Sequence, residues 1–203
     1  MSTNLRHLCS RSVLLLLSVA AVSLIVAGCG SSSRNAYTNE GAVRDTARAE
    51  GIYKKAMDVI GSDPVAAEKL LRETLQYDLY HGRAHNNLGV VLFGAGKLYE
   101  AAGEFEWARK LMPGLPEPRV NLALVLDRGG RSQEALEAAQ SALEVQADDI
   151  PANQAMVLIQ LSNGTGDATT LKRLQNIIDR SDDQQWVAWA EVEKAKLAAR
   201  LDP

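Results

Sequence analysis

The fold is decided by two stretches of the chain, residues 83–113, RAHNNLGVVLFGAGKLYEAAGEFEWARKLMP, and residues 117–147, EPRVNLALVLDRGGRSQEALEAAQSALEVQA. They align with each other at an offset of 34 residues, and several aligned positions carry the same residue. Among the identical pairs are Asn87 and Asn121, Leu88 and Leu122, Leu92 and Leu126, Gly96 and Gly130, Ala101 and Ala135, and Ala108 and Ala142. Because a fixed period of this length is typical of stacked structural units, the body of the chain is predicted to be a solenoid.

The repeated positions also follow the order of a known pattern. The residues that carry the resemblance are Leu88, Gly89, Leu92, Ala101, Phe105, Ala108 and Pro113, and together they resemble the tetratricopeptide repeat. The departures from that pattern are His85 for tryptophan, Leu92 for tyrosine, Ala139 for phenylalanine and Ala147 for proline. The resemblance implies an all-α fold, a right-handed superhelix of stacked antiparallel helix pairs.

Extending the period in both directions divides the predicted helical domain, residues 42–203, into four repeats and a last helix. The repeats are predicted over residues 48–81, 82–115, 116–149 and 150–181, and a capping helix over residues 182–201. The fourth repeat is degenerate, because Thr169 and Arg173 stand where small and aromatic residues are expected. Helix starts are predicted at Ser132, as an N-cap, and at Ser181, as the first residue of a capping box.

The last predicted helix carries apolar residues at a spacing that suits a cover for the final repeat. They are Trp186, Trp189, Ala190, Leu197 and Leu201. Terminal repeats need such a lid for solubility. The alternative is that Trp186 and Trp189 form an exposed partner site, through which the solenoid associates with a second copy.

Residues 1–28 have the layout of a secretory signal peptide. Two arginines and no acid precede an uncharged run over residues 13–28, which is shorter than the roughly 20 residues of a spanning helix. The sequence IVAGC at residues 25–29 resembles a bacterial lipobox, which implies cleavage before Cys29 and lipidation of its thiol. The alternatives are an uncleaved anchor and an ordinary signal peptide cut near Ala27.

Residues 29–41 are interpreted as the lipidated cysteine and a flexible tether, because they are rich in small polar residues without an apolar period. Gly30 is not the aspartate associated with inner-membrane retention in bacteria resembling enterics, which favours the periplasmic face of the outer membrane. Cys9 would leave with the signal peptide, so no disulfide is expected. The covalent lipid on Cys29 is the only non-protein group predicted.

The predicted groove is the concave face lined by the first helix of each pair. Its candidate peptide-binding residues are Tyr53, Arg83, Asn86, Asn87, Val90, Val120, Asn121, Leu124, Arg128 and Gln154, and the same face carries Ile52, Ala56, Glu117 and Leu158. A side-chain amide offers both a donor and an acceptor, so Asn87 and Asn121 could hold the backbone of an extended peptide. The alternative is that the two asparagines bridge neighbouring helices. The chaperone-tail clamp of related repeats is not expected, because Ile52, Ala56 and Glu117 replace its polar or basic residues.

Catalysis finds little support in the sequence. His81 and His85 stand four residues apart and could share a helix face as metal ligands, but His81 falls in a predicted linker and His85 at a packing position. The glycines at residues 94–96 and 129–130 are interpreted as turn residues, because no Lys-Ser or Lys-Thr follows them as in a phosphate loop. The chain is therefore predicted to be neither an enzyme nor a metal-binding protein.

Composition and location together suggest a class of function. The 203 residues are 46% hydrophobic with a formal net charge of −3, which gives no basic excess for nucleic acid or an anionic membrane surface. The expected function is a non-enzymatic, membrane-anchored adaptor that binds a segment of another envelope protein, as in pilus or secretion-system assembly. Alternatives are a self-associating structural component and a docking adaptor for a cell-wall hydrolase or protease.

Overall fold

The computed structural model of the protein describes residues 44–202. This part of the chain forms nine α-helices and no strand, which confirms the predicted all-α fold. The helices are α1 (Thr46–Val59), α2 (Pro64–Tyr77), α3 (Gly82–Gly94), α4 (Leu98–Leu111), α5 (Glu117–Arg128), α6 (Ser132–Val145), α7 (Ile150–Ser162), α8 (Ala168–Arg180) and α9 (Gln184–Leu201). The predicted signal peptide, Cys29 and the tether lie outside the described residues. Among the helices described, none has the length and apolar character needed to cross a membrane.

The helices pack as successive hairpins. Helix α1 packs on α2, α3 on α4, α5 on α6 and α7 on α8, and the second helix of each hairpin also packs on the first helix of the next. The first helices contact each other as well, α3 with α5 and α5 with α7. Helix α9 packs on α8. The first helices therefore form one continuous layer of the superhelix, and the candidate groove residues lie in that layer.

Equivalent glycines end the first helices of the second and third hairpins. Gly96 and Gly130 both have a φ angle of +75°, which glycine adopts without the steric cost that a Cβ imposes. The N–H group of the next residue then donates to a carbonyl of the last helical turn, from Lys97 to Leu92 and from Arg131 to Leu126, each over 2.9 Å. Glycine therefore recurs at this position of the period because the backbone there requires a positive φ angle.

Two predicted N-caps are wrong. Helix α6 begins at Ser132, as predicted, but its N-cap is Arg131, whose carbonyl accepts the Ala135 N–H over 2.9 Å. Arg131 makes no side-chain capping bond, because a guanidinium group has no hydrogen-bond acceptor. Ser181 is the C-cap of α8, and the N-cap of α9 is Asp183, whose side chain accepts the Gln185 N–H. The Ser181 hydroxyl accepts the Asp183 N–H over 3.2 Å, so it orders the connection between the two helices.

Small side chains fill the contacts inside the hairpins. Alanines with no exposed surface recur along α1 to α7, at Ala49, Ala56, Ala67, Ala84, Ala101, Ala108, Ala123, Ala135, Ala139, Ala142 and Ala152. The tightest position is Gly89 on α3, where an added Cβ would lie 2.6 Å from a ring carbon of the fully buried Phe105 on α4. The expected close crossing of these two helices is therefore confirmed.

The fourth hairpin departs from the predicted register. The buried positions of α8 are Thr170, Leu174 and Ile177, one residue later than the positions that the period assigns to Thr169 and Arg173. The longer turn between α7 and α8 delays the start of α8 and causes this shift. Arg173 is half-buried instead, its Nε has no hydrogen-bond partner within the described chain, and desolvation lowers its pKa.

Helix α9 covers the last hairpin through a second core cluster. Its members are Val157, Leu174, Ile177, Ala190 and Leu197, and the half-buried Trp186 and Trp189 pack against them. Leu201 does not belong to the cover, because its side chain is 45% exposed. At 18 residues α9 is longer than the 13-residue α8, and its last turn runs past that helix.

The contact between Gly89 and Phe105 predicts opposite effects for the same substitution at two helical glycines. Gly89→Ala should destabilise the fold by about 1–3 kcal/mol, because the buried Phe105 ring must move. Gly103→Ala on α4 should stabilise it by up to about 1 kcal/mol, because nothing lies within 4 Å of the new methyl group. Denaturant unfolding of the full-length chain measures both changes, and a stabilising Gly89→Ala would refute the close approach.

Candidate peptide-binding groove

The structure places the ten predicted groove residues on four neighbouring helices. Tyr53 is on α1, and the others are on α3, α5 and α7. Several of them repeat at the period of the chain and so form rows across the helices. The rows are Asn86, Val120 and Gln154; Asn87 and Asn121; and Val90, Leu124 and Leu158.

The rows differ in what they leave accessible. Arg83, Val90 and Arg128 are exposed, and Val90 keeps 43% of its surface. Tyr53, Asn86 and Val120 are buried, as are Ile52 and Ala56 of the same predicted face. The remaining candidates, Asn87, Asn121, Leu124 and Gln154, are half-buried. The buried residues form the floor of the groove, and the other seven candidates present its surface.

A ladder of side-chain hydrogen bonds runs across the floor from α1 to α5. The Asn87 amide donates to the Tyr53 hydroxyl over 2.8 Å, across 34 residues of sequence. The Asn121 amide donates to the side-chain oxygen of Asn86 over 3.0 Å, and the Asn86 amide donates to a Glu117 carboxylate oxygen over 2.8 Å. The asparagines therefore bridge neighbouring helices, which was the alternative to peptide contact.

The ladder limits what the asparagines can offer to a ligand. Each amide nitrogen already donates within the chain, while the side-chain oxygen of Asn121 has no donor within hydrogen-bonding distance among the described residues. The oxygen of Asn87 receives only a long contact, 3.5 Å from the Asn86 amide. Both side chains thus present a carbonyl oxygen, which can accept a peptide N–H group.

A charged cluster forms one edge of the groove, between α1 and α3. Nδ1 of His81 accepts the Ala84 N–H over 3.1 Å and so caps α3. The proton of the neutral ring therefore lies on Nε2, which donates to a Glu50 carboxylate oxygen over 3.2 Å. Arg83 donates to the same oxygen over 3.1 Å, and its guanidinium carbon lies 5.1 Å from the centre of the Tyr53 ring.

Two pKa values at this edge of the groove are shifted in opposite directions. The hydrogen bond from His81 and the positive charge of Arg83 lower the pKa of the Glu50 carboxyl, so this edge keeps its ion pair at neutral pH. Burial raises the pKa of the Tyr53 hydroxyl, which stays protonated and remains available to Asn87. The sequence analysis did not identify Glu50 as a groove residue. It interpreted His81 as part of a linker, because histidine is not among the preferred N-cap residues.

The two histidines do not face a common site. His85 is fully buried, Nε2 donates to the Leu79 carbonyl over 2.8 Å, and Nδ1 lies 2.6 Å from a Glu104 carboxylate oxygen. His81 has the different partners given above. Among the residues that the structure describes, no group of three His, Cys, Asp or Glu side chains is placed to hold a metal ion.

The paired helices, the 34-residue period and the groove lined by the first helices define a helical repeat fold of the tetratricopeptide type. No protein-family model and no curated relative matches the chain. Several solved structures are similar to it. One is MamA from Desulfovibrio magneticus RS-1, residues 41 to the end, with a TM-score of 0.55 and 16% identity over 76% of this chain and 78% of that one.

Two further similar structures are described by their peptide binding. The first TPR of Spaghetti (RPAP3), bound to the HSP90 peptide SRMEEVD, has a TM-score of 0.58 and 15% identity, over 61% of this chain and 99% of that one. YrrB, a TPR protein with an unusual peptide-binding site, has a TM-score of 0.59 and 19% identity, over 72% of this chain and 76% of that one. At these identities the likeness establishes the fold.

The ladder predicts energetic coupling between Tyr53 and Asn87. In a double-mutant cycle of Tyr53→Phe and Asn87→Ala, the free energies of unfolding should deviate from additivity by about 0.5–1.5 kcal/mol, because each change removes the same hydrogen bond. The control cycle pairs Tyr53→Phe with Asn163→Ala, whose amide donates to the Ile159 carbonyl at the far end of α7. Additive effects in both cycles would contradict the ladder.

Proposed function

We propose that the chain is a non-enzymatic adaptor that binds an extended segment of another protein along the groove formed by α1, α3, α5 and α7. The observation that carries the proposal is the solvent-facing side of these helices, where the half-buried amides of Asn87 and Asn121 lie beside the apolar row of Val90, Leu124 and Leu158. The amide oxygens of such a surface can accept hydrogen bonds from the N–H groups of a bound peptide, and its apolar residues can contact the side chains of that peptide. The peptide-bound RPAP3 repeat and the peptide site named for YrrB support this use of the fold.

The proposal extends to the cell envelope. The charge layout of residues 1–28 and the lipobox-like IVAGC sequence support a lipid on Cys29. Two or three acyl chains would exceed the requirement for stable anchoring, since each buried methylene contributes about 0.8 kcal/mol. The periplasmic face of the outer membrane is the proposed location, with Gly30 after the cysteine as its support. The partner is then another envelope protein, for example one in pilus or secretion-system assembly.

No catalytic step is part of the proposal. The polar side chains of the groove serve as structural partners of one another: the amides in the ladder, and His81 in the cap of α3. None of them forms a nucleophile paired with a base among the described groove residues. Binding and location together are sufficient for an adaptor.

A matched pair of substitutions tests the groove. Val90→Glu places a charge on its exposed apolar row, whereas Val65→Glu places the same charge on α2, outside the groove, at a position that is 81% exposed. Peptides selected on the full-length chain from a random phage library should bind Val90→Glu at least about tenfold more weakly, because the charge must lose its hydration against apolar side chains. Equal affinities for the two variants, measured by fluorescence polarisation, would contradict binding in the groove.

The anchor is tested with the two cysteines of the chain. Expressed in a Gram-negative bacterium, the chain should carry acyl chains on Cys29 in the mass spectrum of its N-terminal peptide and should sediment with outer membranes. Cys29→Ser should abolish acylation, while Cys9→Ser in the predicted signal peptide should leave it unchanged. An unacylated Cys29 in the wild-type chain would overturn the anchor and leave the groove proposal standing.

A further inference from the structure

An uncharged row leads along the groove to its C-terminal end. Val90, Leu124 and Leu158 are separated by one repeat each, so they occupy equivalent positions on α3, α5 and α7. Helix α7 carries no charged residue along its whole length. The row thus passes from the polar edge at Glu50 and Arg83 to an apolar end.

The apolar end is a cleft between α7 and α9. It has a volume of about 230 Å³ and is lined by Leu158, Gln185, Trp186 and Trp189. The two indole rings meet edge to face with their centres 5.1 Å apart, and both pack against the core cluster under α9. The rings are therefore held in place before any ligand arrives. The cleft is smaller than the ~300–1,000 Å³ of sites for drug-sized molecules, so its size suits a single large side chain.

Acidic residues adjoin the cleft at the start of α9. Asp182 and Asp183 are exposed, and neither forms an ion pair with a described residue. The Asp183 carboxylate accepts the backbone N–H of the cleft residue Gln185 over 2.8 Å. No Lys or Arg lines the cleft. Charge complementarity thus favours a cation next to the side chain that enters it, and disfavours a carboxylate there.

The spacing of the row specifies a backbone conformation for the ligand. Helix α3 contacts α5, and α5 contacts α7. Because packed helices lie about 8–10 Å apart, we expect successive row positions at about that separation. A polyproline II segment rises about 3.1 Å per residue with three residues per turn, and therefore presents every third side chain on one side at about 9 Å intervals. A β-strand presents same-side residues about 7 Å apart and fits the row less well.

We propose that the groove binds a polyproline II segment with apolar side chains at every third position, the last of them a large one seated between Leu158, Trp186 and Trp189 beside a Lys or Arg. This specificity rests on the proposed function, since it names the ligand of the same groove. The cleft acts as the anchor site, because rigid indole rings that bury an apolar side chain supply a large part of the binding energy at protein interfaces.

The first test is a selection with a phage-displayed library of random twelve-residue peptides on the full-length chain. The selected peptides should carry apolar residues three positions apart, with a large one next to Lys or Arg. Selected peptides with apolar residues at every second position, or with none, would overturn the proposal while leaving groove binding intact. If no peptide is selected, the proposed function fails together with it.

The second test uses synthetic copies of the selected peptides and variants of the cleft. Trp189→Ala should weaken binding at least about tenfold, the loss expected when a large apolar side chain loses its burial. Because Trp189 also packs on the core, Gln185→Lys provides an independent variant at an exposed position. Its cation should weaken the binding of peptides that carry the neighbouring Lys or Arg at least about fivefold. The control is Ala195→Lys, which adds the same charge at an exposed position of α9 outside the cleft and away from Asp182 and Asp183. It should bind the peptides as the wild type does.

Two results would overturn the cleft as an anchor site. In one, Gln185→Lys and Ala195→Lys bind the peptides equally, while Val90→Glu binds them more weakly. In the other, Gln185→Lys leaves peptide affinity unchanged but alters the sedimentation of the chain, which would assign the cleft to a second copy of the protein.

Discussion

The close approach of the two helices in each hairpin is the constraint on which the rest of the structure depends. Alanines without exposed surface recur through α1 to α7, and Gly89 faces the Phe105 ring where no Cβ would fit. Because these side chains are small, the first helices also come into contact with one another, α3 with α5 and α5 with α7. Only one narrow stripe of each first helix then stays open to solvent. The groove is the sum of these stripes, so its residues repeat at the period of the chain.

The groove surface is set by how the helices satisfy their own polar groups. Amide donors that bridge α1, α3 and α5 are already used, and they hold the carbonyl oxygens of Asn87 and Asn121 in fixed positions. A buried polar ladder stabilises the stack because each donor would lose hydration without its partner. The same ladder therefore orders the floor and leaves acceptors for a ligand. Towards α9 the ladder ends, and a cleft with no charged lining residue follows it.

Much of the fold could be predicted from the sequence, because the 34-residue period fixes hairpins, turns and core together. The equivalence of Gly96 and Gly130 is one example, since both require the same positive φ. The register of α8 was predicted wrongly because an extended turn breaks the period before Thr170. Site contacts were harder to predict. The partner of Asn87 lies 34 residues away, and the capping role of His81 depends on a ring nitrogen accepting a backbone N–H group.

The central claim is that the layer of first helices binds polypeptide and the outer helices do not. Hydrogen–deuterium exchange of the full-length chain, with and without a saturating selected peptide, tests it most directly. The account predicts slower exchange in α3, α5 and α7, with α4 and α6 unchanged at their exposed faces. Protection confined to α2, α4 and α6 would contradict it, because the ligand would then occupy the opposite side of the superhelix.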